Sequence, residues 1–120
     1  MKPPPFSYHD PTTVSEVVGL LSTLENAKLL AGGQSLMPML NMRYVLPDHL
    51  IDLNRVEGLG YIREGSGGLE IGAMTRQRDV EFSPLVKRLC PLLSEAILHV
   101  GHRQTRNWGT FGGSLAHLDP

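Results

Sequence analysis

The sequence predicts an α+β fold of two small subdomains, the second of them incomplete. Three observations indicate this fold. Strand-like and helical patterns alternate over residues 1–57, a glycine-rich hairpin pattern begins near residue 58, and the sequence stops soon after the pair of glycines at 112–113. With 120 residues, of which 41% are hydrophobic and 19% charged, the chain has the size of one globular domain or two very small ones.

The first subdomain begins with its clearest helix. Thr13 followed by Glu16 forms a capping box, and apolar residues then recur at helical spacing through Leu24. A short apolar run at 28–31 ends in glycine and is typical of a buried strand.

The rest of the first subdomain repeats this order. Ser35 is expected to cap a second helix, which tolerates Pro38 because proline fits the first helical turn. Residues 49–53 return to strand character. Residues 1–57 are therefore predicted to follow a β-α-β-α-β order.

The second subdomain, residues 58–120, is predicted to begin with a hairpin and to continue with helices. Two apolar runs flank the glycine-rich stretch 64–68 like paired strands around a turn. Thr75 is expected to cap one short helix, and Ser83-Pro84 to open another. An apolar stripe is expected to lie in the core; it consists of Leu93, Ala96, Ile97 and Val100.

Charge and cysteine content exclude several classes of function. Eleven basic and twelve acidic residues leave a net charge of -1, so nucleic acid is not expected as a partner. Cys90 is the single cysteine and cannot form an internal disulfide.

Residues 1–5 lack the apolar segment of a signal peptide, and no run approaches the length of a membrane span. We expect a cytoplasmic protein without a membrane span.

Two pairs of glycines are flanked by polar side chains. Gly32-Gly33-Gln34-Ser35 lies between a predicted strand and a predicted helix, where backbone amides can surround an anion. Thr110-Phe111-Gly112-Gly113-Ser114 has a similar composition, and Phe111 is either core or an apolar surface for a flat ring. The first segment has neither P-loop nor Rossmann spacing, and the alternative that its glycines only turn the chain stays open.

Longer motifs around these glycines resemble one family. Residues 31–38 are similar to the A-G-G-[HQ]-S-L-[ILM]-P loop of the molybdopterin-dehydrogenase FAD-binding family, and residues 106–117 to its R-N-x-G-T-[IF]-G-G-[NS]-x-A-H segment. Between them, residues 71–75 match its I-G-A-[MG]-[TV] step, and Asn54 follows a strand in the usual place. Trp108 and Phe111 stand where arginine and isoleucine are commoner. The resemblance covers nearly the whole chain.

The resemblance implies a fold, a cofactor and a binding site. The fold is two subdomains of the FAD-binding PCMH (vanillyl-alcohol-oxidase-like) type with FAD between them. The family continues beyond this length, so the sequence is expected to be part of a longer subunit. For the first loop, the resemblance implies that its residues bind the diphosphate of FAD; they are Ala31, Gly32, Gly33, Gln34, Ser35, Leu36, Met37 and Pro38. The second implies contacts nearer the isoalloxazine ring, from Thr110, Phe111, Gly112, Gly113 and Ser114.

The resemblance also implies a division of labour among subunits. A molybdopterin-binding large subunit oxidises the substrate, an iron-sulfur small subunit relays electrons, and FAD passes them to NAD or another acceptor. No catalytic side chain and no metal ligand is expected in this chain, because flavin carries the electrons and a lone cysteine cannot hold a cluster. Arg103 and Arg106 are candidates for neutralising the diphosphate, for pairing with a partner, or for a solvated surface pair.

Two other functions remain open at this point. A cofactor-free assembly module would keep the scaffold and only dock the other subunits. A nucleotide-binding domain for another ligand would bind ADP as well as it binds FAD.

Overall fold

A computed structural model describes residues 1–119 of the chain; Pro120, where the sequence ends, lies outside the described residues. The chain divides into two compact units, Met1–Glu57 and Gly58–Pro120. Both units mix helices and strands, so the predicted α+β class is confirmed. No described helix has the length and the hydrophobicity needed to cross a membrane.

The first unit alternates strands and helices in the predicted order. Its elements are β1 (Ser7–His9), α1 (Val14–Thr23), β2 (Ala27–Leu30), α2 (Leu36–Asn41) and β3 (His49–Asp52). The strands form a parallel sheet in the order β1-β3-β2. Leu50 and Ile51 on the central strand are 1% and 0% exposed, and burying each stabilises the unit by about 1.5–3 kcal/mol.

Helix α1 begins as the sequence predicts but buries less of its apolar stripe. The Thr13 side chain accepts a hydrogen bond from the Glu16 amide, and the Glu16 carboxylate accepts from the amides of Thr12 and Thr13. These amides lower the pKa of Glu16, because they stabilise its charged form. Only Val17 of the stripe is buried in α1.

The second unit consists of a hairpin and five short helices among the described residues. Its elements are β4 (Ile62–Gly65), β5 (Gly68–Ile71), α3 (Gln77–Phe82), α4 (Pro84–Leu89), α5 (Pro91–Ala96), a 3-10 turn (Ile97–His99), α6 (Arg103–Trp108) and α7 (Phe111–His117). Strands β4 and β5 pair antiparallel around Ser66 and Gly67, as predicted. Val80, Val86 and Ile97 are buried at the centre of this unit.

Two predicted helix caps differ from the structure. The Ser35 side chain makes no capping hydrogen bond to α2. The Thr75 hydroxyl instead donates to the carbonyl of Tyr61 and accepts from its amide, at 2.9 and 3.0 Å, so Thr75 joins β4 to the turn before α3. Arg76 is the residue that precedes α3. Ser83 caps α4 as predicted, by accepting from the amide of Val86.

The predicted core stripe in residues 93–100 is mostly confirmed. Ile97 is buried, and Leu93 and Val100 pack against the same cluster. Ala96 is exposed, because α5 ends there and the chain tightens into the 3-10 turn, which rotates the following residues relative to an α-helix.

Candidate functional site

The first glycine loop lies at the carboxyl edge of the parallel sheet. Strand β2 ends at Leu30 and α2 begins at Leu36, so residues 31–35 span the gap between them. Next to this loop, the amide of Leu53, just after β3, donates a hydrogen bond to the carbonyl of Leu30 at the end of β2. In sheets of parallel strands, this edge is where ligands bind, because the loops that follow the strands meet there.

Gly33 gives the loop a conformation that other residues rarely adopt. Its φ is +74°, in the left-handed region. A Cβ at this position would lie 3.1 Å from Cγ of Met37 and 3.3 Å from Cδ1 of Leu30. The Gly33 carbonyl accepts from the Met37 amide at 3.0 Å, and the Gly32 carbonyl accepts from Nε2 of Gln34 at 3.2 Å. The loop is therefore held by its own carbonyls.

The amides of the same loop are unused. Within residues 1–119, no protein group accepts a hydrogen bond from the amides of Gly32, Gly33, Gln34, Ser35 and Leu36. The glycines are half-buried, whereas Gln34 and Ser35 are exposed. A run of unpaired amides after a strand and before a helix is the arrangement that binds phosphate groups. The uncapped Ser35 hydroxyl adds another donor.

Sequence reasoning missed Tyr8 and Asp52 near this loop, and it singled out Asn54 only by its resemblance to the family. The Asp52 carboxylate, at the end of β3, accepts from the Tyr8 hydroxyl at 2.5 Å and from the Asn54 amide at 2.8 Å. Nδ2 of Asn54 donates to the carbonyl of Ala31 at 2.9 Å. The hydrogen bond to Asp52 raises the pKa of Tyr8 to about 12, because it stabilises the protonated hydroxyl.

The second glycine segment has a different structure from the first. It is not a loop, since Thr110 caps α7 and the two glycines lie in its first turn. Its amides are already paired: that of Phe111 donates to Thr75, that of Gly112 to Ala73, and those of Gly113 and Ser114 to Thr110. Unlike the amides of the first loop, those of Gly112 and Gly113 are therefore not free for a ligand.

Packing explains why position 112 is a glycine. A Cβ on Gly112 would lie 2.8 Å from the carbonyl oxygen and from Cβ of Ala73. Real Cβ atoms do not approach backbone atoms so closely, so the glycine permits contact between α7 and the turn after β5. Phe111 packs against the buried cluster around Val80, which favours the core alternative for its ring.

Ser114 is held by a buried neighbour that the sequence did not single out. Nε2 of Gln77 donates to Oγ of Ser114 at 2.5 Å. Gln77 is 4% exposed, and its Oε1 has no hydrogen-bond partner among the described residues. Gln77 thus fixes the Ser114 hydroxyl in position.

Arg106 fits none of its three expected roles. Its side chain is 9% exposed and forms an ion pair with Glu81, with Nε 3.1 Å from Oε2 and Nη2 3.4 Å from Oε1. Nη1 donates to backbone carbonyls of the segment before α6, including that of Val100 at 3.2 Å. Arg106 is therefore a buried structural residue, whereas Arg103 is exposed.

Two histidines of the first unit lie close together, although no metal ligand is expected in this chain. Nε2 of His9 lies 3.1 Å from Nδ1 of His49, on adjacent strands. Within residues 1–119, no three His, Cys, Asp or Glu side chains are grouped as metal ligands would be. Cys90 is a free thiol.

Comparison with known proteins identifies the family. The profile described as "FAD binding domain in molybdopterin dehydrogenase" matches residues 4–120. The chain belongs to this family. FAD is the cofactor of the family, and the match includes both glycine segments.

Similar proteins include the medium chains of two dehydrogenases. The chain is 50% identical to the carbon monoxide dehydrogenase medium chain of Hydrogenophaga pseudoflava, over 100% of its own length and 42% of that protein. It is 41% identical to the glyceraldehyde dehydrogenase medium chain of Sulfolobus acidocaldarius, over 100% and 43%. The chain thus spans less than half the length of these relatives.

Solved structures agree with the family assignment. Carbon monoxide dehydrogenase from Hydrogenophaga pseudoflava, in a form that lacks the Mo-pyranopterin moiety, matches with a TM-score of 0.96 over 100% of this chain and 42% of that one, at 50% identity. Quinoline 2-oxidoreductase from Pseudomonas putida 86 matches with a TM-score of 0.95 over 99% and 42%, at 43% identity. The fold is that of the FAD-binding domain of these enzymes.

Proposed function

We propose that the protein is the FAD-binding subunit of a molybdenum hydroxylase, in which residues 31–38 hold the diphosphate of FAD. The observation that carries this proposal is the row of unpaired amides from Gly32 to Leu36 at the carboxyl edge of the sheet. Amide donors suit a diphosphate, because they supply partial positive charge without side chains that would block close approach. The residues present therefore fit the cofactor of the family.

The chain binds and orients the cofactor rather than reacting with the substrate. When bound, FAD supplies reversible electron transfer at its isoalloxazine ring. The glycine loop anchors the diphosphate, and Ala31, Met37 and Pro38 set the edges of the loop. The segment Thr110–Ser114 contributes the Ser114 hydroxyl that Gln77 positions, not backbone amides, since those are paired within their own unit.

The proposal includes partner subunits. Relatives are medium chains of dehydrogenases and the medium subunit of a hydroxylase, which supports a complex with a molybdopterin-binding large subunit and an iron-sulfur small subunit. These 120 residues hold one cysteine, whereas an iron-sulfur cluster needs about four ligands, so these residues cannot hold a cluster by themselves. Electrons then pass from those clusters through FAD to NAD or another acceptor, in the cytoplasm.

Cofactor analysis of the natural-length protein tests this function. We expect the purified protein to show flavin absorbance and to release FAD, not FMN, when denatured. Recovery with the large and iron-sulfur subunits but without any flavin would contradict the proposal and would favour the cofactor-free assembly module. Displacement of FAD by equimolar ADP would favour a general nucleotide-binding domain instead.

A further inference from the structure

Asp52 is the centre of a hydrogen-bond network at the carboxyl edge of the sheet. Its Oδ2 accepts from the hydroxyl of Tyr8 on β1 at 2.5 Å. Its Oδ1 accepts from the backbone amide of Asn54 at 2.8 Å and from Nδ2 of the same residue at 2.6 Å. Both oxygens of the Asp52 carboxylate are thus engaged. Because Oδ1 binds the backbone amide and the side-chain amide of Asn54 together, the Asn54 side chain is held in a single orientation.

That orientation aims Asn54 at the first glycine loop. Its Nδ2 also donates to the carbonyl of Ala31 at 2.9 Å. The carbonyl of Ala31 and the amide of Gly32 belong to one planar trans peptide, so they point in opposite directions. Holding the carbonyl toward Asn54 therefore fixes the direction of the Gly32 amide, which is the first unpaired donor of the loop.

The loop needs such an external contact. The unpaired amides of Gly32 to Leu36 carry partial positive charges that repel one another when they converge. Gly33 adds a flexible backbone, because glycine loses more conformational entropy on ordering than other residues do. The loop's own hydrogen bonds engage the carbonyls of Gly32 and Gly33. Without the contact at Ala31, the peptide that carries the Gly32 amide therefore has to be ordered at the moment of binding, which lowers affinity.

We propose that Asp52 and Asn54 are positioning residues that preorganise the Gly32–Leu36 amides for a diphosphate. The inference rests on the proposed function, since it assumes that these amides bind the diphosphate of FAD. Tyr8 belongs to the same network and holds Asp52 from β1. Because Asn54 is exposed and outside the core, its effect is expected on the bound state rather than on folding.

Affinity and stability measured on the same variants test this role. Using the natural-length protein stripped of flavin, we expect Asn54→Ala to raise the dissociation constant of FAD roughly tenfold, the effect of one well-placed hydrogen bond. The melting temperature of the flavin-free protein is expected to stay close to that of the wild type. Asp52→Ala should weaken FAD binding by a similar factor. Asp52→Asn should retain most of the wild-type affinity, because its Oδ1 can still accept from Asn54.

A double variant and a neighbouring control complete the test. If the residues act through one network, Asp52→Ala combined with Asn54→Ala should weaken FAD binding no more than either change alone. Arg55→Ala is the control, since Arg55 follows Asn54 but pairs with Asp10 at the surface, and it should leave affinity unchanged.

The outcomes separate this inference from the proposed function. Wild-type protein that binds no FAD would overturn the proposed function and the inference with it. Wild-type protein that binds FAD, with Asn54→Ala binding equally well, would overturn the inference alone. A melting temperature that falls in step with affinity, with additive effects in the double variant, would assign Asp52 and Asn54 a structural role only and would also overturn it.

Discussion

Replacing Arg106 by alanine is expected to destabilise the second unit by about 3–5 kcal/mol. The change leaves the carboxylate of Glu81, which is 11% exposed, without its partner. It also removes the guanidinium group that donates to the backbone carbonyls of Leu98 and Val100. Because whole domains are stable by only about 5–15 kcal/mol, a loss of this size is severe. Urea unfolding followed by circular dichroism measures it.

Two further variants show whether the buried ion pair is the cause. Arg103 lies on the same helix but is exposed, so Arg103→Ala should change stability by less than about 0.5 kcal/mol. Combining Arg106→Met with Glu81→Leu removes both charges and should recover part of the loss, although the carbonyls stay without a donor. If the Arg106→Ala variant has the same urea midpoint of unfolding as the wild type, the ion pair contributes nothing to stability.

Gly33→Val is expected to abolish flavin retention by the natural-length protein. A β-branched residue is strongly disfavoured at a φ of +74°, so the loop has to leave its conformation. The new Cβ would also press on Met37 and Leu30, at 3.1 and 3.3 Å. We expect an increase of more than about 100-fold in the dissociation constant of FAD, which corresponds to about 2.7 kcal/mol. Flavin fluorescence titration of the stripped protein gives this value.

Other substitutions separate backbone conformation from simple bulk. Asparagine tolerates the left-handed region better than alanine, so Gly33→Asn should retain more affinity than Gly33→Ala even though it is larger. Gly19 lies in α1, and a Cβ added there would meet nothing within 4 Å, so Gly19→Ala should bind FAD like the wild type. Equal affinity in Gly33→Val and wild type would rule out this loop as the anchor of the cofactor.

The local elements of this fold could be predicted from sequence because their signals are local. The capping box at Thr13 and Glu16 acts over one helical turn, and Ser83 before Pro84 caps α4 in the same way. Thr75 has the same cap-like sequence context, yet its hydroxyl bonds to Tyr61 at the open end of the hairpin. Hydroxyl side chains serve caps and tertiary contacts alike, and only the fold decides between them.

The two glycine pairs show the same limit at the candidate site. Both have adjacent glycines with hydroxyl neighbours, and the sequence treats them as equivalent. In the structure, Gly33 is required by a positive φ, whereas Gly112 is required by the approach of Ala73, a residue far away in sequence. Whether an amide is free or paired depends on such tertiary contacts, so composition could not distinguish the two segments.

Arg106 and Asp52 could not be assigned from sequence for a related reason. A charged residue in a polar segment is usually solvated, and nothing near Arg106 in the sequence indicates that Glu81 is beside it. Asp52 ends a strand that was predicted, but its partner Tyr8 comes from a strand more than forty residues earlier. Parallel pairing brings the two together, and that pairing follows from the whole sheet.

The central claim is that the amides of residues 32–36 hold the diphosphate of FAD. Hydrogen exchange of individual backbone amides in the natural-length protein, with and without FAD, tests it most directly. The amides of Gly32 and Gly33 should exchange fast without FAD and slowly with it, while that of Gly112 should be protected in both states because Ala73 already accepts its hydrogen. Saturation with FAD that leaves Gly32 and Gly33 in fast exchange would contradict the claim.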